Sequence, residues 1–165
     1  MEFKLGPHNT LVQTSTPWVF GQDGDAEQLE TAMCKFMSEA NGIGLAANQI
    51  GIAKRVFVMG SINIPEFPAP FALFNPRIIE SSLELVSHQE GCLSYPGLFL
   101  MIKRPSWILA EYQDSQGNTK EIKVDGYLAK CFQHELDHLD GICFVDKVSQ
   151  MKLNLAMKKI RKVNK

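Results

Sequence analysis

The segment "DAEQLETAMCKFMSEA" (25–40) places Leu29, Met33, Phe36 and Met37 at helical spacing, which predicts an amphipathic helix with one apolar stripe. Asp25 is its N-cap and Gln28, three positions on, completes a pattern like a capping box. Asn41-Gly42 ends it, since both residues tolerate the left-handed backbone of a helix C-terminus. "RVFVM" (55–59) reads as a short buried strand. The proline-rich run 63–70 is a loop, because proline cannot donate to a ladder. The segments 72–80 and 83–90 look extended. "SWILAEYQD" and "TKEIKVDGY" alternate around "SQGN", which predicts a hairpin. From Gly126 to Leu139 the period becomes helical, and Gly141 is placed to stop it. Strands in an antiparallel run, with helices early and late, predict an α+β fold in which helices pack on or inside the sheet.

Composition changes little in this picture. At 165 residues the chain is expected to form one domain over residues 1–150, followed by a short basic tail, 151–165. A net charge of −1 gives no overall pull towards nucleic acid or an anionic membrane. No apolar run approaches the roughly 18 residues of a membrane span. The N-terminus lacks the basic-then-apolar layout of a signal peptide, so the expected location is the cytoplasm. The four cysteines are then expected as thiols, with Cys34 and Cys143 as small buried hydrophobes. The tail holds six basic residues and no acid. It reads either as a solvated, fraying end or as an electrostatic handle for an anionic partner such as RNA.

The chemistry concentrates in "QHELDH" (133–138). His134 and His138 sit four apart, so a helix turns both imidazoles towards one ion. Glu135 lies about 100° round, within reach of a water on that ion. The bland alternative is a polar helix face with Glu135 and Asp137 in water. Asp137 or Asp140 can accept the second N–H of a ligating imidazole, or lie on the surface. A peptidase of the His-Glu-x-x-His type takes a third ligand downstream, but there the nearby acids are Asp140 and Asp146 and no histidine follows. The third ligand is therefore sought upstream, where Cys92 stands in a glycine-flanked turn after a strand. Spacing alone leaves Cys92 open between a thiolate ligand and a buried thiol. A site with one thiolate and two imidazoles suits zinc, ferrous iron or nickel.

Three segments together, "GIGLAANQ" (42–49), "EGCLSYP" (90–96) and "QHELDH", resemble in order and separation the signature motifs of the peptide deformylases. The resemblance implies small antiparallel sheets around a central metal-binding helix, and removal of the formyl group from the N-terminal formyl-methionine of nascent chains. It implies Cys92, His134 and His138 as ligands of a divalent metal, Fe(2+) natively, with Zn(2+) or Ni(2+) able to replace it. Glu135 is the implied acid/base. Gln49 and the backbone N–H of Leu93 are the implied oxyanion donors, although Gln49 on its own reads as an ordinary loop amide. Extended backbone at Ile43 and Gly44, with Gly91 opposite, is implied to pair with the substrate main chain. The methionine pocket maps onto Ile43, His88, Glu90, Tyr127, Lys130 and Cys131. His88 and Lys130 are more polar, and Tyr127 bulkier, than an aliphatic lining. The Lys130 stem can still cover apolar surface. Glu90 is implied to brace the site through hydrogen bonds. Gly-Leu-Phe after Pro96 resembles members with an aromatic there, organellar ones among them, rather than the enteric type with arginine. Formyl-methionyl nascent peptides are the expected partners of a monomer with no membrane contact, and the basic tail offers a ribosome contact. A metal-dependent peptidase and a catalytically silent formyl-peptide binder are the competing readings.

Overall fold

The computed structural model describes residues 1–6, 8–61, 63 and 65–163, with side chains to Ile160. Part of the proline-rich loop and the last two positions of the basic tail lie outside the described residues. The chain order is α1 (Ala26–Glu39), β1 (Gly44–Ala46), β2 (Val56–Met59), β3 (Phe71–Ser81), β4 (Leu85–Cys92), β5 (Tyr95–Pro105), β6 (Trp107–Gln113), β7 (Thr119–Asp125), α2 (Gly126–Leu139) and α3 (Gln150–Val163). Strands β1-β2-β3-β6-β7, in that order, form one antiparallel sheet, and β4-β5 form a separate antiparallel pair. This is the expected α+β arrangement.

Both faces of the larger sheet are covered, which explains why β2 reads as an unbroken apolar run. Val56 and Val58 turn to α1, where Met33, Met37, Leu45 and Phe74 complete one core. Phe57 and Met59 turn to α2 and pack with Leu73, Ile108, Ala110 and Phe132. The Phe57 and Phe132 rings meet edge to face at 5.0 Å. Asp25 caps α1 as expected, its carboxylate accepting from the Gln28 N–H at 3.0 Å.

β7 runs directly into α2 through Gly126, whose φ of 51° makes the bend. The last residue of the hairpin thus sets the start of the helix that carries the His-Glu pair. The tail, whose bland reading was a fraying end, is instead helical from Gln150. It lies on β5 through Leu153, Ala156 and Ile160, which join Leu98, Leu100, Ile102 and Phe144 in a third core. Among the described residues no helix is long and apolar enough to cross a membrane.

Candidate functional site

The candidate metal-ligating side chains come from two elements that are remote in sequence. His134 and His138 lie one turn apart on the inner face of α2, and Cys92 closes β4. The ligand atoms of all three lie within 4.8 Å of one another. Cys92 Sγ is 3.2 Å from His138 Nε2. Cys92 is therefore drawn into the cluster rather than packed as an isolated thiol.

The surroundings fit a cation. His134 Nδ1–H donates to Glu90 Oε2 at 2.9 Å, which leaves Nε2 free to face the cluster. Burial acts to lower the His134 pKa, yet its bonds to Cys92 and Glu90 raise it to about 10. The same negative environment that favours a proton there favours a metal ion. His138 is driven well below the usual imidazole range by burial and by His134. It thus stays neutral, as a ligand must. Its Nδ1 is buried without a partner.

A triple clamp holds Glu90. Arg104 donates from Nε to Oε1 at 2.5 Å and from Nη2 to Oε2 at 2.9 Å. Arg104 Nη1 reaches Asp137 Oδ2 at 2.7 Å, and Lys147 adds a contact to the same carboxylate at 3.0 Å. Burial of Glu90 is outweighed by His134 and Arg104, and its pKa falls to about 2. Glu90 therefore remains ionised against the imidazole it orients.

Glu135 has the opposite environment. It is 5% exposed, its Oε2 has no partner, and burial pushes its pKa up to about 7. A carboxyl poised there can lose and regain a proton near neutral pH.

Gln49 has a fixed amide. Its Oε1 accepts from the Ala46 N–H at 2.8 Å. The amide nitrogen must then face the site, where it lies 3.4 Å from Cys92 Sγ and 3.1 Å from Ser94 Oγ. A loop amide free in solvent has no such preference.

A cavity of about 490 Å³ opens on these groups. Of the fourteen residues expected at the site, twelve line it: Ile43, Gly44, Gln49, Glu90, Gly91, Cys92, Leu93, Tyr127, Lys130, Cys131, His134 and Glu135. His138 sits behind the wall and is 1% exposed. His88 does not line the cavity. It lies two residues before Glu90 on β4, paired with Ile102, and two residues of strand are about 7 Å.

Among the described residues β1 is an edge strand of its sheet and β4 pairs only with β5, so two unpaired strand edges flank the cleft. Gly44 permits the close approach: a Cβ there would stand 2.4 Å from Glu135 Oε1. At Gly91 a Cβ would meet the Phe99 ring at 2.7 Å. Lys130 Nζ lies 3.8 Å from the centre of the Tyr127 ring and donates to the Gln89 carbonyl at 3.4 Å. Its stem lines the pocket while its charge rests on an aromatic face. Cys131 is buried, which holds its pKa well above the thiol range and keeps it a neutral lining group.

Three supporting residues were not anticipated. Arg104 is the clamp described above. Its signal was available: Leu98, Leu100, Ile102 and Arg104 alternate inward along β5, so the arginine had to find partners in the core. Asn48 Nδ2 donates to the His138 carbonyl and, at 3.2 Å, to that of Thr10, fastening the end of α2. Ser94 contacts the Gln49 amide. Neither had a readable signal beyond lying inside a motif.

Comparisons with known proteins point to one family. The polypeptide deformylase family profile matches residues 2–154. A peptide deformylase from Prochlorococcus marinus (strain NATL2A) is 46% identical over 148 residues, covering 89% of this chain and 72% of that protein. The crystal structure of a peptide deformylase from Synechococcus elongatus in complex with actinonin has a TM-score of 0.85 at 38% identity, covering 96% of this chain and 84% of the other. The Met-Ala-Ser-bound crystal structure of a class I type b peptide deformylase from Acinetobacter baumannii has a TM-score of 0.82 at 33% identity, covering 90% and 98%. This chain therefore belongs to the polypeptide deformylase family, whose members depend on a metal, and its Cys92, His134 and His138 can hold one.

Proposed function

We infer that this protein hydrolyses the formamide of N-terminal formyl-methionine on newly made polypeptides, releasing formate and a free α-amine. The observation that carries the reading is the pairing of the Cys92, His134 and His138 cluster with a buried, protonatable Glu135 and an oriented Gln49 at one cavity, His138 standing just behind its wall.

When bound, a divalent metal supplies a Lewis acid and a water of lowered pKa. Cys92, His134 and His138 would hold it, and Glu90 with Arg104 fixes the His134 ring. Glu135 takes a proton from the attacking water. Gln49 Nε2 and the Leu93 N–H donate to the oxygen that gains charge on the formyl carbon. Glu135 then returns the proton to the leaving nitrogen as the C–N bond breaks. The substrate main chain pairs with Ile43 and Gly44 on one side and Gly91 on the other, so sequence is ignored there. Tyr127, Lys130, Cys131 and Ile43 enclose the methionine side chain.

The native metal in this reading is Fe(2+), with Zn(2+) or Ni(2+) able to occupy the same ligands; metal analysis of anaerobically purified protein tests the assignment. The protein acts as a monomer in the cytoplasm. The basic tail meets the ribosome transiently, and ribosome co-sedimentation unchanged by truncation at Val148 would exclude that contact. The central test is formyl-Met-Ala-Ser with anaerobically prepared protein. Formate and free amine in equal amounts are expected. Cleavage between Met and Ala instead would make the protein a peptidase, and neither product would make it a binder.

A further inference from the structure

The cavity does not end at the catalytic cleft. A second groove of about 440 Å³ lies between β5 and α3. Gln89, Gly97, Leu98 and Phe99 line both spaces, so the two share a rim. The far wall is α3, with Lys152, Leu155, Ala156, Lys159 and Ile160. Lys152 and Lys159 are seven residues apart, two turns on one helix face.

Two features mark this groove as more than a crease. Phe99 and Leu155 are 59% and 55% exposed, so apolar surface faces water from both walls. α3 carries no acid, and among the described residues no carboxylate lines the groove and neither lysine makes an ion pair. An apolar strip between two uncompensated cations suits an extended peptide that carries acidic side chains beside an apolar one. A nucleic-acid backbone is a poorer fit, because its phosphates would lie against Leu98, Phe99 and Leu155 and lose hydration without enough partners.

We propose that this groove receives the part of the nascent chain that follows the residues held in the cleft, and that it favours acidic side chains there. The proposal rests on the deformylase reading, which supplies a peptide at the shared rim. Main-chain pairing between β1 and β4 discriminates little between sequences. The groove is then the first place beyond the methionine pocket where the substrate's chemistry is read.

The test uses formyl-Met-Ala-Ser-Gly-Ser extended by Asp-Leu-Asp, Ser-Leu-Ser or Lys-Leu-Lys, each kcat/KM divided by that on formyl-Met-Ala-Ser. The acidic peptide is expected to lead and the basic one to trail, with a spread of about three- to tenfold from two partly exposed charge contacts. The spread should collapse in about 1 M salt, where screening acts over roughly 3 Å. Lys152→Glu with Lys159→Glu should invert the order. Equal normalised rates for the three peptides with the unaltered protein would overturn the proposal, as would a spread that persists in the charge-reversed variant. Equal rates together with inhibition by a short oligouridylate would assign the groove to nucleic acid instead. No formate from formyl-Met-Ala-Ser itself would overturn the deformylase reading and this proposal with it.

Discussion

Helices α2 and α3 have the same length, fourteen residues each, and nearly opposite lives. α2 has nine buried residues, five of them polar or charged: Lys130, Gln133, His134, Glu135 and His138. Among the described side chains α3 buries none, and Leu153, Ala156 and Ile160 reach the core only in part. A helix buried on its polar side has to find internal partners. α2 finds them in Glu90, in the Pro105 carbonyl bonded by Gln133 Nε2 at 3.2 Å, and, through Asp137, in Arg104. Glu135 is left without a partner on one oxygen among the described residues, and burial moves its pKa towards neutrality. α3 leaves Lys152, Lys158 and Lys159 exposed to water, where they remain available to a ligand. Burial makes chemistry in the first helix, and exposure makes an interaction face in the second.

Four experiments can break or sharpen this contrast. The largest effect belongs to Glu135→Gln, which removes the proton carrier without altering shape. Turnover of formyl-Met-Ala-Ser should fall by about 10²- to 10⁴-fold with an unchanged circular dichroism spectrum, and a wild-type rate would refute the acid/base role. Next is Arg104→Leu, which strips the clamp from Glu90 and Asp137. Removing one partner of a buried ion pair costs about 3–5 kcal/mol, to be read from urea unfolding; a loss under 1 kcal/mol would mean that His134 alone satisfies Glu90.

Metal removal should matter less to stability. A ligand held only by the folded state, at about a hundredfold excess over its Kd, contributes about 2.7 kcal/mol. Chelation should therefore lower the melting temperature of the wild type, and Cys92→Ser protein should bind less metal and show a smaller drop. Equal metal content in the two proteins would remove Cys92 from the ligand set. The smallest effect is expected in α3. Leu153→Ala trims a half-buried side chain and should cost about 1 kcal/mol, while tripeptide turnover stays at the wild-type level. A loss as large as that of Arg104→Leu would show that α3 is integral to the core and end the comparison.

Much of this was legible along the chain. α1, its Asp25 cap, the β6-β7 hairpin and the reach of α2 follow from spacing and from residues a turn or less apart. The extended reading of 83–90 matches β4, but β5 beside it was harder. β5 alternates from Leu98 to Arg104, but its start is a glycine-containing motif whose interest lay elsewhere. α3 carries so many cations that it read as a tail, and its helix is held by contacts with β5 and with Phe144 that no local rule contains. The family resemblance implies His88 in the pocket, whereas it lies outside the cavity lining. Its true position depends on how far β4 has run before it meets α2.

What the sequence alone determined is the set of short-range facts. His134 and His138 share a helix face, Glu135 stands beside them, and three motifs resemble one family. Tertiary structure decided the rest. It brought Cys92 to 3.2 Å from His138 across 46 residues of chain, and turned the Gln49 amide by engaging its oxygen with Ala46. It raised Glu135 to about 7 by enclosing it, and laid a charged helix beside the mouth of the cleft. The physical reason is one of range. Helical spacing and capping act within a turn, whereas desolvation, charge neighbours and cavity walls are set by whichever distant segments the fold packs together.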